Sequence, residues 1–388
     1  MKIDLMLRGI RIEDPVVKAW ACGAAGVDIL LPKKTLVNIP CEELFTEASP
    51  YTIKKKGRGY IITDGLGEIP VEIVERPAFY DRLTSTGVKF SDLATTHGSY
   101  TVITPNPRCE FFKSKVECRY CAGEFNTEGK AERVFTVEEV LETVGAVLKE
   151  KISEIIYLSI GFGSGDDGGI KFLSPYIAAI KKHFNCIVAV EALPPRSNRW
   201  IDKAYAVGAD SVLYNLEIFD GELFEVICPG RAELIGRKRY LDALKYAAKI
   251  FPNGTVASHL IVGLEPPGST IMGIDYLTDI GVVPILPIYR PSRSRAIDVN
   301  SLRAEVIIPV YRHLYKTLKE KKINFNWVRD ISMVTTPVEG RFLLGEGGGQ
   351  GTIFENFYKS RIGLKAAWGL SSLRRKLRVK ETEEDPLK

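Results

Sequence analysis

Three cysteines hold the densest chemical potential in the sequence: Cys109, Cys118 and Cys121, with eight residues in the first gap and two in the second. Thiolates two residues apart can bind one soft metal centre, because a tight turn brings both sulfurs to one side. A set of three is informative. A closed zinc or iron–sulfur site wants four protein ligands, whereas a catalytic site leaves one position open. The competing reading is a three-cysteine zinc site completed by a histidine such as His97, in a binding module without catalysis. Cys22, Cys41, Cys186 and Cys228 show no ligand spacing and read as buried inert thiols. An odd total of seven cysteines argues for a reducing compartment rather than a disulfide framework.

A rigid frame must hold that cluster. At 388 residues the chain is too long for one small module, given roughly 100–200 residues per domain. With 45% hydrophobic and 26% charged residues, its composition is that of a globular protein. A net charge of +5 is too mild to point to nucleic acid. There is no run of about 18 apolar residues, which speaks against a spanning helix. The first eight residues meet charges at once, unlike a signal peptide. These features together read as a cytoplasmic protein.

From Ser99 onward, strand and helix alternate. Ser99–Thr104 is β-branched and aromatic. Thr136, with Glu139 three residues on, reads as an N-cap opening a helix over Val137–Lys149. Ile155–Ile160, Ile187–Val190, Ser211–Leu216, Val256–Val262 and Val282–Ile288 are short apolar runs, as expected of strands buried on both faces. Helices are expected between them, near Phe172–Phe184, Arg199–Val207, Lys238–Ile250 and Ile271–Ile280. A last helix is expected over about Leu302–Lys321. Six strand–helix units predict an α/β protein built on a partial or complete (β/α) TIM-type barrel; the alternative is an open doubly wound sheet.

The expected domains are a small β-rich unit over residues 1–95, the barrel over 96–325 and a C-terminal extension over 326–388. The extension holds a Gly-rich loop (Gly345–Gly351) and a basic amphipathic stretch around Trp368, Leu370, Leu373 and Leu377. That stretch reads as a last helix packing its apolar face on the barrel, or as a dock for an acidic carrier or a membrane surface. The three cysteines fall in the loop after the first barrel strand, on the face where barrel enzymes carry their chemistry.

With Tyr120 before the last cysteine, the motif Cys118-Arg119-Tyr120-Cys121 resembles the radical S-adenosylmethionine (SAM) superfamily, over roughly residues 98–320. The first gap departs from the commonest three residues. The resemblance implies that Cys109, Cys118 and Cys121 ligate three irons of a [4Fe–4S] cluster and that SAM binds the fourth. It also assigns cofactor-binding roles to later strand ends. Gly161 and Gly163 let the backbone approach the SAM amino group. Asn215 and Glu217 lie on one strand face, within reach of ribose hydroxyls. Arg237 pairs with the SAM carboxylate, with Arg231 and Arg239 as competitors. Val262 lies near adenine in a stretch that ends at Glu265, and Glu191 closes the third strand. The barrel is similar to the biotin synthase, lipoyl synthase and hydrogenase-maturase branch.

The implied reaction is reductive cleavage of SAM and removal of a hydrogen atom from an unactivated C–H bond of a small-molecule or carrier-bound biosynthetic substrate. Implied partners are an electron donor such as ferredoxin or flavodoxin and, on one reading of residues 1–95, a second copy of the chain. An alternative within the superfamily is sulfur insertion from a second cluster, for which Cys228, in a loop on the active face, is the first thiol to test.

Overall fold

This computed structural model describes residues 1–21, 26–42, 44–121, 133–153, 155–163, 165–291, 297, 302–325, 330–345 and 360–379. Cys22 and, beyond Gly345, the Gly-rich loop lie outside the described residues.

Two sheets organise the chain. The first contains β1 (Arg11–Ile12), β2 (Val27–Leu31), β3 (Thr35–Ile39), β4 (Thr52–Lys56), β5 (Gly59–Thr63) and β6 (Glu68–Ile73), in the order β1-β4-β5-β6-β2-β3. It is antiparallel except where β1 meets β4. Ile29, Val37, Ile39, Ile53 and Ile62 are buried, while Lys54, Lys55 and Lys56 at the end of β4 are exposed. β2 alternates buried and half-buried residues, as in a sheet with one wet face.

The second sheet contains β7 (Ala94–His97), β8 (Tyr100–Asn106), β9 (Ile155–Ile160), β10 (Ile187–Glu191), β11 (Ser211–Leu213), β12 (Val256–His259) and β13 (Val283–Ile285). Its order, β13-β12-β11-β10-β9-β8-β7, follows the chain without a reversal. A doubly wound sheet needs a reversal of strand order; here each strand lies beside the next, and β8 to β13 are parallel. The result is a partial barrel. The helices joining the strands are Val137–Glu150, Ile170–His183, Arg199–Val207, Arg237–Ile250 and Pro267–Asp279, and Ala304–Glu320 follows β13. The first begins at the expected capping box, with Thr136 and Glu139 bonded reciprocally. Each buries an apolar face, such as Leu173, Ile177 and Ile180 or Tyr240, Leu244 and Ala247. β7 is antiparallel to β8 and extends the sheet beyond the strand expected to be first.

A half-barrel leaves a gap between β13 and β7, and residues 330–334 fill it. Val334 bridges to Pro287 beyond β13, and the Asp330 carbonyl accepts from Ser99 N–H beside β7 at 2.9 Å. Gly98 makes that approach: it has φ 68, and a Cβ there would lie 2.4 Å from the Asp330 oxygen. The first sheet clips onto the same seam. Asn38 N–H donates to Ser332 O at 2.8 Å, and Arg290 donates to the Asn38 side chain and carbonyl at 2.6 and 2.8 Å.

Candidate functional site

The loop after β8 sets the first part of the site. Cys109 is the N-terminal flank of a short turn of helix, Glu110–Lys113. Its sulfur accepts from Phe162 N–H at 3.3 Å, and Glu110 N–H donates to Phe162 O at 2.9 Å. The loop after β8 is thereby tied to the loop after β9, and Phe111 stacks on Phe162 at 4.2 Å. Gly161 permits the contact, because a Cβ there would come within 2.7 Å of the Cys109 Cβ. Further on, Arg119 N–H donates to Ile227 O at 2.9 Å and Gly230 N–H donates to Val116 O at 2.9 Å. A turn joins the paired cysteines, with Cys121 N–H donating to Cys118 O at 3.0 Å.

Cys118 is buried against a fourth thiol, Cys228. Hydrogen bonding from Cys228 lowers Cys118 to about 6; burial opposes this and nearby Arg231 assists. The same hydrogen bond, with burial, pushes Cys228 up. Burial raises Cys109 too. Three thiols on one loop match the donor chemistry of an iron–sulfur centre. Among the described residues no three Cys, His, Asp or Glu side chains converge at metal-ligating separation. The structure therefore presents a donor set on one loop rather than a closed cage.

The second part of the site is a polar rim at the ends of β9 to β12. Glu191 accepts from Ser159 Oγ at 2.8 Å and from Asn215 Nδ2. The Asn215 carbonyl oxygen of the side chain accepts from His259 N–H at 3.1 Å. The amide is thus fixed at both ends, which orients it without a rotamer choice. Arg231 donates to the Asn215 main-chain carbonyl at 2.6 Å and lies 3.5 Å from the Glu217 carboxylate. Burial disfavours the charge on Arg231, but Cys118, Tyr120, Tyr240 and Glu217 outweigh it and raise its pKa.

Below the rim, a cavity of about 450 Å³ runs through the barrel. Tyr120, Glu191, Glu217 and His259 stand at its polar end, and Val102, Leu213, Ala257 and Ile285 form its wall. Met333 and Val334 of the seam segment complete the enclosure. Tyr157, in that wall, is a buried phenol raised well above its ordinary value by burial and by Glu191 and Glu217.

The structure brings Tyr120, Glu191, Asn215 and Glu217 to one rim, whereas Cys109, Cys118 and Cys121 do not converge at metal-ligating separation. Tyr120, Glu191 and Glu217 line the cavity, and Asn215 lies behind Glu191. The same-face argument for Asn215 and Glu217 does not hold, because β11 ends at Leu213 and Glu217 sits in the left-handed region at φ 70. They meet through Arg231 instead. Arg237 is turned away: its Nε donates to Phe219 O at 2.9 Å and its guanidinium lies 4.6 Å from the Phe219 ring centroid. Gly163 has open space around it. Val262 pairs with Ile288 as an isolated bridge beside the cavity. Glu265 clamps the loop after Glu217, accepting from Phe219 and Asp220 N–H at 2.9 and 2.8 Å. The reading from sequence passed over Tyr157, His259 and Met333. An alternating tyrosine in an apolar run was the one available signal, for Tyr157.

No family model matches the chain. Over 105 residues it is 29% identical to the bacteriochlorophyllide c C-7(1)-hydroxylase of Chlorobaculum limnaeum, a stretch of 27% of this chain and 26% of that protein. The match thus spans about a quarter of the curated relative's length. Among solved structures it is similar to HydG, a maturase of the [FeFe]-hydrogenase, with a TM-score of 0.46 and 16% identity, covering 59% of this chain and 51% of that one. It is also similar to methylornithine synthase PylB, with a TM-score of 0.44 and 17% identity, covering 57% of this chain and 63% of that one.

Proposed function

We propose that this chain is a radical SAM enzyme with a [4Fe–4S] cluster and SAM as its cofactors, and that it removes a hydrogen atom from an unactivated C–H bond of a biosynthetic substrate. The observation that carries the reading is a three-thiol loop after the first parallel strand, set beside a carboxylate–amide–arginine rim over one cavity. When bound, the cofactors supply a 5′-deoxyadenosyl radical; the protein's part is to bind, orient and exclude water.

Cys109, Cys118 and Cys121 hold the cluster, and Tyr120 packs over that loop. Gly161 and Gly163 offer backbone to the SAM amino group. Asn215 and Glu217 take the ribose hydroxyls, with Glu191 holding the Asn215 amide in place, and Val262 lies against adenine. Arg231 takes the carboxylate role expected of Arg237, whose guanidinium is committed to Phe219. The apolar cavity wall suits a substrate whose reacting portion is apolar. Hydroxylation of a carbon centre, the activity in the relative's name, is one outcome such a radical permits. An electron donor of the ferredoxin or flavodoxin type delivers the reducing electron. The odd count of seven cysteines supports a reducing, cytoplasmic setting. Residues 1–95, 96–325 and 326–388 serve as accessory unit, barrel and extension.

The test is anaerobic reconstitution with iron and sulfide, followed by incubation with SAM and dithionite. A brown protein that releases 5′-deoxyadenosine, and a Cys118→Ser variant that does neither, is the expected result. A colourless protein carrying one zinc overturns the reading and favours a binding module.

A further inference from the structure

The C-terminal helix Arg361–Val379 meets the barrel through Ser371 and Arg375. Ser371 Oγ and Arg375 donate to the Asp210 carboxylate at 2.8 and 2.9 Å. Arg375 also donates to Ala209 O at 2.9 Å and lies 5.2 Å from the Tyr205 ring centroid. Asp210 is itself buried and shared with Lys181 at 2.8 Å, so the anchor is a well-satisfied ionic cluster. It precedes β11, at the end of the barrel away from the cysteine loop.

Three described apolar side chains reach solvent. Ile362, Leu370 and Leu373 are 73%, 68% and 56% exposed. At about 100° per residue, Leu373 and Leu370 lie roughly 20° and 80° from Ile362, whereas Ser371 and Arg375 lie roughly 180° and 220° away. Arg374 and Lys376 flank the apolar sector at roughly 120° and 320°. The helix sequence carries Arg361, Lys365, Arg374, Arg375, Lys376 and Arg378 and no acidic residue. The chain turns acidic only afterwards, at Glu381, Glu383, Glu384 and Asp385.

We infer that this outward face docks on an anionic lipid surface, lying in the plane of the interface. An exposed apolar stripe between basic edges, with no acidic residue, is complementary to acyl chains below a layer of negative headgroups. A second copy of the chain fits worse, because it would set Arg374 and Lys376 of both copies against each other. An acidic protein would engage the edges and leave the leucines uncovered. No described helix is long and apolar enough to cross a membrane, so the attachment is peripheral. The anchor is at the far end of the barrel from the cysteine loop, so docking leaves that loop clear. The inference does not rest on the proposed chemistry.

The test is flotation of the full-length protein with vesicles of phosphatidylglycerol and phosphatidylcholine, against pure phosphatidylcholine vesicles. The expected result is binding to the anionic vesicles, at least tenfold weaker in a Leu370→Glu, Leu373→Glu variant, and weakened by high salt. An unchanged unfolding midpoint shows that this variant is folded; if it is not, Arg374→Glu with Lys376→Glu is the substitute and is expected to remove the salt-sensitive part. Absence of flotation with anionic vesicles overturns the inference. So does binding that both folded variants retain, or a dimer that the leucine substitutions dissociate.

Discussion

The Arg231 guanidinium lies 3.5 Å from the Glu217 carboxylate, with their side chains 16% and 7% exposed, and donates to the Asn215 main-chain carbonyl at 2.6 Å. One arginine therefore links the cysteine loop, through Cys118 and Tyr120, to the polar rim. Removing it strands a buried carboxylate. Breaking one partner of a buried pair costs about 3–5 kcal/mol.

Arg231→Gln is accordingly expected to lower the unfolding midpoint and to weaken SAM binding at least tenfold. Arg237→Gln should do neither to a comparable degree, because its guanidinium is turned to the Phe219 carbonyl and ring. Thermal unfolding and equilibrium binding of SAM to the two reconstituted variants make the comparison. Equal loss in both would return the carboxylate role to Arg237.

The cysteines should divide into two classes by iron content. Serine at Cys109, Cys118 or Cys121 is expected to abolish the brown chromophore and most bound iron after anaerobic reconstitution. Cys186 is buried, and burial pushes its thiol up to about 12; a thiol so hard to ionise is a poor ligand. Cys186→Ala should keep the full iron load. Iron retained by two of the three loop variants would sink the assignment.

Cys228 should act on the cluster without binding it. Its sulfhydryl hydrogen-bonds Cys118, and hydrogen bonds to cluster sulfurs are one of the factors that set reduction potential. A donor stabilises the extra negative charge of the reduced state, so Cys228→Ala is expected to lower the potential while leaving the iron content unchanged. A redox titration followed by electron paramagnetic resonance reads this. If iron is lost in step with the signal, Cys228 is a ligand.

The barrel was legible because buried parallel strands leave short apolar runs, and Thr136 with Glu139 marked a helix start that the structure keeps. The cysteine loop and Glu191 were legible from residue type and strand end. Arg231 was not, since a run of arginines on one turn gives no sign of which one the loop from Ile227 to Gly230 turns inward. The seam segment was hidden for another reason. Residues 330–334 pair with the barrel edge through single bridges, too short for any periodicity. The terminal helix was legible as amphipathic, but not that Ser371 and Arg375 hold it to the barrel through Asp210 while Leu370 and Leu373 stay exposed.

His97 offers a check on the cavity through pH. It lines the cavity wall, and burial, with Arg290 nearby, lowers its pKa to about 4. The ordinary value is about 6.5. Between those values the unfolded chain binds a proton that the folded chain refuses, so stability rises with pH across that window and falls as the solution is acidified. One pKa unit is about 1.4 kcal/mol, which sets an upper limit of about 3.5 kcal/mol, and less for a half-buried ring. Urea unfolding at pH 4.5, 5.5, 6.5 and 7.5 should show the loss concentrated between pH 6.5 and 4.5. His97→Gln cannot titrate and should flatten that segment of the profile. An unchanged slope in the variant would assign the acid sensitivity to other groups and place the His97 ring in water.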